Sequence, residues 1–262
     1  MTALFIPILS GWALGYIVNY LADVLPETRR LSRPACPNCR NPFLPVDYLL
    51  GRRCRTCGKP RSKRMWSALF ILTGISVYIW SNPPHNLGYA VGLFLLAYFA
   101  TVFIIDMEHR LILHPTSLVG AVFTFGAGWL AHDLIPTVLG GLAGLILMSS
   151  LYYFGRLFTR IRNRKLEASG LPMDDEEALG AGDVILAGIL GLVLGWPLIW
   201  FGILLGILLG GVYGLLLVSF LYITRKNTGT AWMVFMPYGP FFILSTFFII
   251  FLPNFVLYVV PK

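Results

Sequence analysis

The chain has 262 residues, of which 57% are hydrophobic and only 12% are charged. An average soluble domain carries about 25% charged residues, so this composition excludes a water-soluble protein and predicts an all-α, polytopic membrane protein. The formal net charge is +8, but its uneven distribution favours membrane topology and anionic lipid headgroups over nucleic acid as the explanation.

Eight apolar runs approach the roughly 20 residues that a membrane-spanning helix needs. They lie at 3–22, 65–81, 87–105, 115–131, 135–155, 183–196, 198–223 and 238–259. The sixth and seventh runs meet at Trp196-Pro197, so a single kinked region is the alternative there. No charge precedes the first apolar run, and we interpret that run as a retained helix rather than a removed signal peptide.

Glycines recur at every fourth residue of the seventh run, which predicts close helix packing. These positions are Gly202, Gly206, Gly210 and Gly214, and Gly140 and Gly144 form a similar pair in the fifth run.

Lysine and arginine fall on one side of the predicted membrane. Loop 23–64 carries eleven of them, the connections after runs three, five and seven carry one, five and two, and Lys262 is the exception. Because cytoplasmic loops are rich in Lys and Arg, both termini should be outside and loops 23–64 and 156–181 cytoplasmic. Within the second loop, the acidic stretch 174–177 is either a solvated segment or a mobile gate.

Four cysteines form two C-x2-C pairs, Cys36 with Cys39 and Cys54 with Cys57, which are separated by fourteen residues. Each pair can offer two thiolates, and two pairs complete a tetrahedral zinc site. A cytoplasmic location argues against disulfides. We therefore predict a structural zinc ion, with free or redox-active thiols as the alternative.

Two aspartates stand at the ends of apolar runs. Asp183 follows Gly180 and Gly182 in a Gly-X-Gly-Asp motif, and Asp106 closes the third run. The charge distribution puts both at the same leaflet, and an ionisable residue in a membrane helix suggests function. The glycines remove side chains beside Asp183 and permit unusual backbone conformations.

Two neighbouring carboxylates can share a proton, so that one acts as a base toward water and the other as an acid toward a carbonyl. This arrangement predicts an aspartic protease. The alternative is that Asp183 is a helix N-cap and that Asp106 is a solvated residue at the membrane interface.

Five stretches together resemble the type IV prepilin peptidases, which are intramembrane aspartic proteases of the Gly-X-Gly-Asp type. They are 11–26, the paired cysteines, 105–112, 180–184 and 237–241, the last being Pro-Tyr-Gly-Pro-Phe. The chain departs from the family pattern at Leu113-His114-Pro115, Phe43-Leu44-Pro45 and Val184-Ile185.

The resemblance implies that Asp106 and Asp183 are the catalytic pair and that the cysteine loop binds zinc. It also implies the bacterial inner membrane as the location and the basic leader of prepilins or pseudopilins as the substrate, which is cut after a glycine at the cytoplasmic face. Many members methylate the new N-terminus, so S-adenosylmethionine would be a cofactor only if methyl transfer is retained. These activities belong to type IV pilus assembly and protein secretion.

The predicted organisation is a first transmembrane helix at 1–22, a cytoplasmic zinc-binding domain at 23–64 and a transmembrane peptidase domain at 65–262. Two other functions are compatible with these features. One is a polytopic transporter, since intramembrane carboxylates also mark ion paths. The other is a membrane assembly factor without enzymatic activity that carries a structural zinc site.

Overall fold

The computed structural model describes residues 4–168, 180–223 and 237–253. This part of the chain is helical and contains no strand beyond the isolated bridge of Ala35 with Pro42. Its helices are α1 (Phe5–Thr28), α2 (Pro45–Leu49), α3 (Lys63–Ser81), α4 (Gly88–His109), α5 (His114–His132), α6 (Leu134–Ala168), α7 (Ala181–Leu194), α8 (Leu198–Ile223) and α9 (Gly239–Phe251). The all-α prediction is confirmed for these residues, whereas the acidic stretch 174–177 and the end of the eighth run lie outside them.

Each of the eight apolar runs coincides with a helix. The short helix α2 lies in the cysteine loop and was not predicted. Among the described residues, four helices are long and apolar enough to cross a membrane: α1, α4, α8 and the Leu134–Arg164 part of α6. The helices α7 and α9 are apolar but shorter. The chain is therefore a membrane protein, and the number of eight crossings stays a prediction.

Helix α6 is longer than the sequence predicted, because it continues through 156–168, which was expected to begin a loop. That segment contains no glycine or proline and is rich in helix-favouring arginine and leucine. The helix has 35 residues, so at 1.5 Å per residue it is about 52 Å long. A hydrocarbon core is only about 30 Å thick, so the basic end extends beyond it.

The chain divides into two compact units, Met1–Thr116 and Ser117–Lys262. In the first unit, α1 packs against α3 and α4. Gly15 allows α1 to approach α3, since a Cβ there would lie 3.0 Å from the Cα of Leu69. At the same contact, the buried Asn19 amide donates to the carbonyl oxygens of Gly15 and Met65 at 2.8 and 3.4 Å.

In the second unit, α6 and α7 meet backbone to backbone. A Cβ on Gly140 would lie 2.4 Å from the carbonyl oxygen of Gly191, and one on Gly144 would lie 2.4 Å from that of Ala187. Only glycine permits these approaches, which confirms the predicted packing role of Gly140 and Gly144.

The glycines of α8 divide into two groups. Side chains of α7 or α9 lie against three of them, namely Leu194 at Gly202, Phe242 at Gly206 and Phe241 at Gly210. A Cβ added at Gly214 would meet no atom of the described residues within 4 Å. The predicted packing face is therefore confirmed over the first half of α8.

Replacing Gly140 with alanine should destabilise the protein, because the added Cβ would overlap the Gly191 carbonyl group. Overpacking of this kind typically costs about 1–3 kcal/mol, which should appear as a lower Tm in detergent. Gly126→Ala in α5 is the matched control, since a Cβ there meets nothing within 4 Å. Equal Tm values for the two variants would contradict the proposed backbone contact.

Candidate active site and metal centre

The four cysteines of the loop between α1 and α3 form one cluster. Their Sγ atoms lie within 4.8 Å of one another, at 3.7 Å for Cys36 and Cys57 and 3.6 Å for Cys39 and Cys54. A tetrahedral zinc site with bonds of about 2.3 Å has sulfur–sulfur edges of about 3.8 Å. All four thiols are free, so the predicted ligand set is arranged to hold a metal ion.

The two cysteine pairs adopt the same backbone turn. In each, the fifth residue donates its N–H to the carbonyl oxygen of the first cysteine, Arg40 to Cys36 at 2.8 Å and Gly58 to Cys54 at 2.9 Å. Arg40 and Gly58 also share the left-handed conformation, with φ of 56° and 69°. The metal cluster is therefore built from two copies of one turn.

This turn geometry prepares Cys54 as a ligand. The backbone N–H groups of Cys57 and Thr56 lower the pKa of Cys54 to about 6. Since thiolates and not thiols bind metal, this lowering of the pKa favours the form of Cys54 that can bind a metal ion.

A network of charged side chains joins this loop to three helices. Asp23 of α1 accepts from the Tyr48 hydroxyl at 2.6 Å and from Arg61 at 3.0 Å, and it also pairs with Arg64. Arg64, in the first turn of α3, pairs in addition with Glu108 at the end of α4. Burial and the Asp23 charge raise the pKa of Tyr48, so its hydroxyl keeps the proton that it donates.

Asp106 lies in the last turn of α4 and is only 4% exposed. The helix ends there because Arg110 takes a left-handed conformation and donates its N–H to the Asp106 carbonyl oxygen at 2.8 Å. The neighbouring Ile105 packs with Ala22 and Leu25 of α1. The predicted position at a helix end is confirmed, and the alternative of a solvated Asp106 is wrong.

A cavity of about 260 Å³ lies beside this end of α4. Its walls include Asp23 and Glu27 of α1, Phe43 of the cysteine loop, and Glu108 and His109, which follow Asp106 closely in sequence. The first unit thus has a partly open pocket next to the helix turn that carries one predicted catalytic residue.

Asp183 occupies the first turn of α7, as predicted. The N-cap is Gly180, so Asp183 is the third helical residue and the N-cap interpretation of Asp183 is wrong. Its Oδ2 instead accepts the Gly180 N–H at 3.3 Å, the contact that the third residue makes in a capping box.

The two glycines of the motif leave the N-cap and the second residue of α7 without side chains. Gly180 has φ −79° and ψ 145°, which any residue can adopt, so its conformational freedom is not used. A Cβ on Gly180 would lie 3.6 Å from the Asp183 carboxylate, and Gly182 is the half-buried second residue of the helix.

The start of α9 also reaches Asp183. Helix α9 packs against α7, and the backbone N–H of Gly239 lies near the Asp183 carboxylate. A helix N-terminus carries partial positive charge, so the start of α9 presents a positive potential to this side chain. Sequence reasoning missed the contact, although segment 237–241 had already contributed to the family resemblance.

Asp106 belongs to the first unit and Asp183 to the second. Each carboxylate is held at a helix end within its own unit, and their action as a pair stays a prediction.

The apolar helices and the cysteine cluster define a helical membrane protein with a loop whose four cysteines could hold a metal ion. Residues 93–215 match the Type IV leader peptidase family, and this segment includes both aspartates. The match supports a type IV leader peptidase-like protease. No match was found among curated proteins or solved structures.

Purified protein should contain one metal ion per chain, which we expect to be zinc. Cys54→Ser removes one of four ligands and should abolish stoichiometric metal in elemental analysis, while the helix content measured by circular dichroism stays close to wild type. Thr56→Ser, which keeps the hydroxyl that accepts from Asn41, is the control and should retain the metal. Wild-type protein that lacks any metal would refute this prediction.

Asp23→Asn should loosen the cysteine loop, because Arg61 and Arg64 lose their shared carboxylate. Breaking a buried ion pair costs about 3–5 kcal/mol, and these partly buried groups should lose less. We expect faster limited proteolysis within residues 29–62 and retention of the metal. Glu27→Gln removes the same charge one turn later at an exposed position, so proteolysis at the wild-type rate is expected, and an equal effect of both variants would contradict a specific role of Asp23.

Proposed function

We propose that this protein is an intramembrane aspartic endopeptidase that removes the leader peptide from type IV prepilins or pseudopilins. The observation that carries the proposal is the family match over 93–215, which contains both Asp106 and Asp183. The positions of these residues, in the last turn of α4 and the first turn of α7, support it further.

In the proposed reaction, one carboxylate takes a proton from water as the water attacks the scissile carbonyl carbon. The other carboxyl group donates its proton to the carbonyl oxygen, and the tetrahedral intermediate then collapses as the leaving amine is protonated. The N–H group of Gly180 would hold the Asp183 carboxylate in place, with the N–H group of Gly239 near it. Such a dyad titrates as a unit, so its pH dependence belongs to both groups.

We place the protein in the bacterial inner membrane, with both termini outside and the site at the cytoplasmic face. The support is the Lys and Arg distribution, with eleven of these residues in 23–64. A prepilin would present its basic leader on that side and its hydrophobic segment to the membrane. The bound metal would be a structural zinc ion held by Cys36, Cys39, Cys54 and Cys57.

Methyl transfer is not part of this proposal, because only the family resemblance suggests it. A transporter is disfavoured, because it would place ionisable groups near the middle of the bilayer in broken helices, whereas Asp106 and Asp183 stand at helix ends. An assembly factor without activity predicts that no leader is cleaved.

Asp106→Asn and Asp183→Asn should each abolish leader cleavage, since either change removes a carboxylate needed for proton transfer. Asp106→Glu and Asp183→Glu should also lower turnover strongly, because positioning errors on the order of 1 Å can cost about a hundredfold in rate. The measurement is cleavage of a prepilin by purified protein in detergent or vesicles.

Asp133→Asn is the matched control for charge removal. Asp133 is exposed and has φ 73°, a conformation that asparagine also tolerates, so this variant should cleave at the wild-type rate. An unchanged Tm in the two Asp→Asn variants would separate lost catalysis from lost folding. Wild-type cleavage by Asp183→Asn would overturn the aspartic-protease mechanism.

A further inference from the structure

Helix α2 and the residue on either side of it present an exposed apolar surface. Asp47 and Tyr48 turn inward and are buried, while the remaining large side chains point outward. We call these the α2 surface: Leu44, Val46, Leu49 and Leu50, which are 51%, 61%, 49% and 55% exposed. Such an apolar patch on a small loop domain indicates a contact with another phase or molecule.

The charges around the α2 surface have a single sign. Arg52 and Arg53 follow it after Gly51 and are exposed. The one acid of the segment, Asp47, is withdrawn and pairs with Arg55 at 2.6 Å and with Arg52 at 3.5 Å. The α2 surface is therefore apolar with a positively charged border. A binding partner that fits it would be apolar with negative charge beside the apolar part.

The α2 surface adjoins the start of α3, which the sequence predicts to cross the membrane. A Cβ on Gly51 would lie 3.0 Å from the Trp66 ring and 3.5 Å from the Met65 methyl group, both in the first turn of α3. Trp66 and Phe70, one turn later, are 42% and 62% exposed. Since tryptophan is enriched at the membrane–water interface, the end of α2 lies at the level where α3 would enter the bilayer.

We propose that the α2 surface docks onto the anionic phospholipids of the leaflet that α3 enters. The apolar side chains would enter the boundary between headgroups and acyl chains, as those of interfacial helices do. Arg52 and Arg53 would contact the phosphate groups. Continuity with the exposed side of α3 favours lipid over a soluble protein partner, because any occupant of this surface must also meet the bilayer.

This docking is independent of the proposed peptidase activity and would fix the metal-binding loop at a defined depth. The loop would then be held on two sides, by the Asp23 network toward the helices and by the α2 surface toward the lipid.

The test uses full-length protein in nanodiscs of phosphatidylcholine, with or without phosphatidylglycerol. An environment-sensitive fluorescent amino acid replaces Val46, and lipids that carry a nitroxide just below the headgroup serve as the quencher. The control places the same probe at Asn38, an exposed residue between Cys36 and Cys39. Quenching of the probe does not require a substrate, so a negative result here would leave the peptidase proposal untouched.

We expect the nitroxide lipids to quench the probe at 46 but not at 38, with stronger quenching in phosphatidylglycerol. Leu49→Glu combined with Leu50→Glu should abolish quenching, and Arg53→Gln should remove its dependence on anionic lipid. Arg33→Gln, at an exposed position elsewhere in the loop, should change neither.

Three results would overturn the proposal. One is a probe at 46 that aqueous iodide quenches fully in both lipid mixtures. Another is equal lipid quenching at 46 and 38. The third is protection from iodide without lipid quenching, which would assign the α2 surface to a protein contact.

Discussion

The arrangement of the first unit depends on one carboxylate. Asp23 receives hydrogen bonds from Tyr48, Arg61 and Arg64, which come from the cysteine loop and the start of α3. Arg64 then reaches Glu108, two residues beyond Asp106. Charge-assisted contacts of this kind are strong and directional, so the metal-binding loop, α1, α3 and the last turn of α4 are held as one assembly.

In the second unit, backbone contacts rather than ion pairs hold the helices that carry the candidate site. Gly140, Gly144 and Gly191 bring the α6 and α7 backbones into direct contact, which sets the position of α7. The N–H group of Gly180 then holds the carboxylate at the first turn of α7, and the N–H group of Gly239 lies near it. Within the described residues these are backbone groups, which cannot change rotamer as side chains can.

The features that the sequence predicted correctly are those with a local pattern. The apolar runs predicted the helices, the C-x2-C spacing predicted the cluster of four cysteines, and the ends of the runs predicted the positions of Asp106 and Asp183. The features it missed join distant positions: Tyr48 lies 25 residues from Asp23 and Arg64 lies 44 from Glu108. The equivalence of the two cysteine turns was hidden because arginine stands in one where glycine stands in the other.

The unequal lengths of α6 and α7 have a mechanical consequence. Helix α7 has 14 residues, or about 21 Å at 1.5 Å per residue, and would be too short for most bilayers. Membrane helices adapt to bilayer thickness by tilting, but α7 is locked to the much longer α6 through peptide groups. A thicker or thinner membrane must therefore move both helices together, and the depth of Asp183 follows α6 rather than the local lipid.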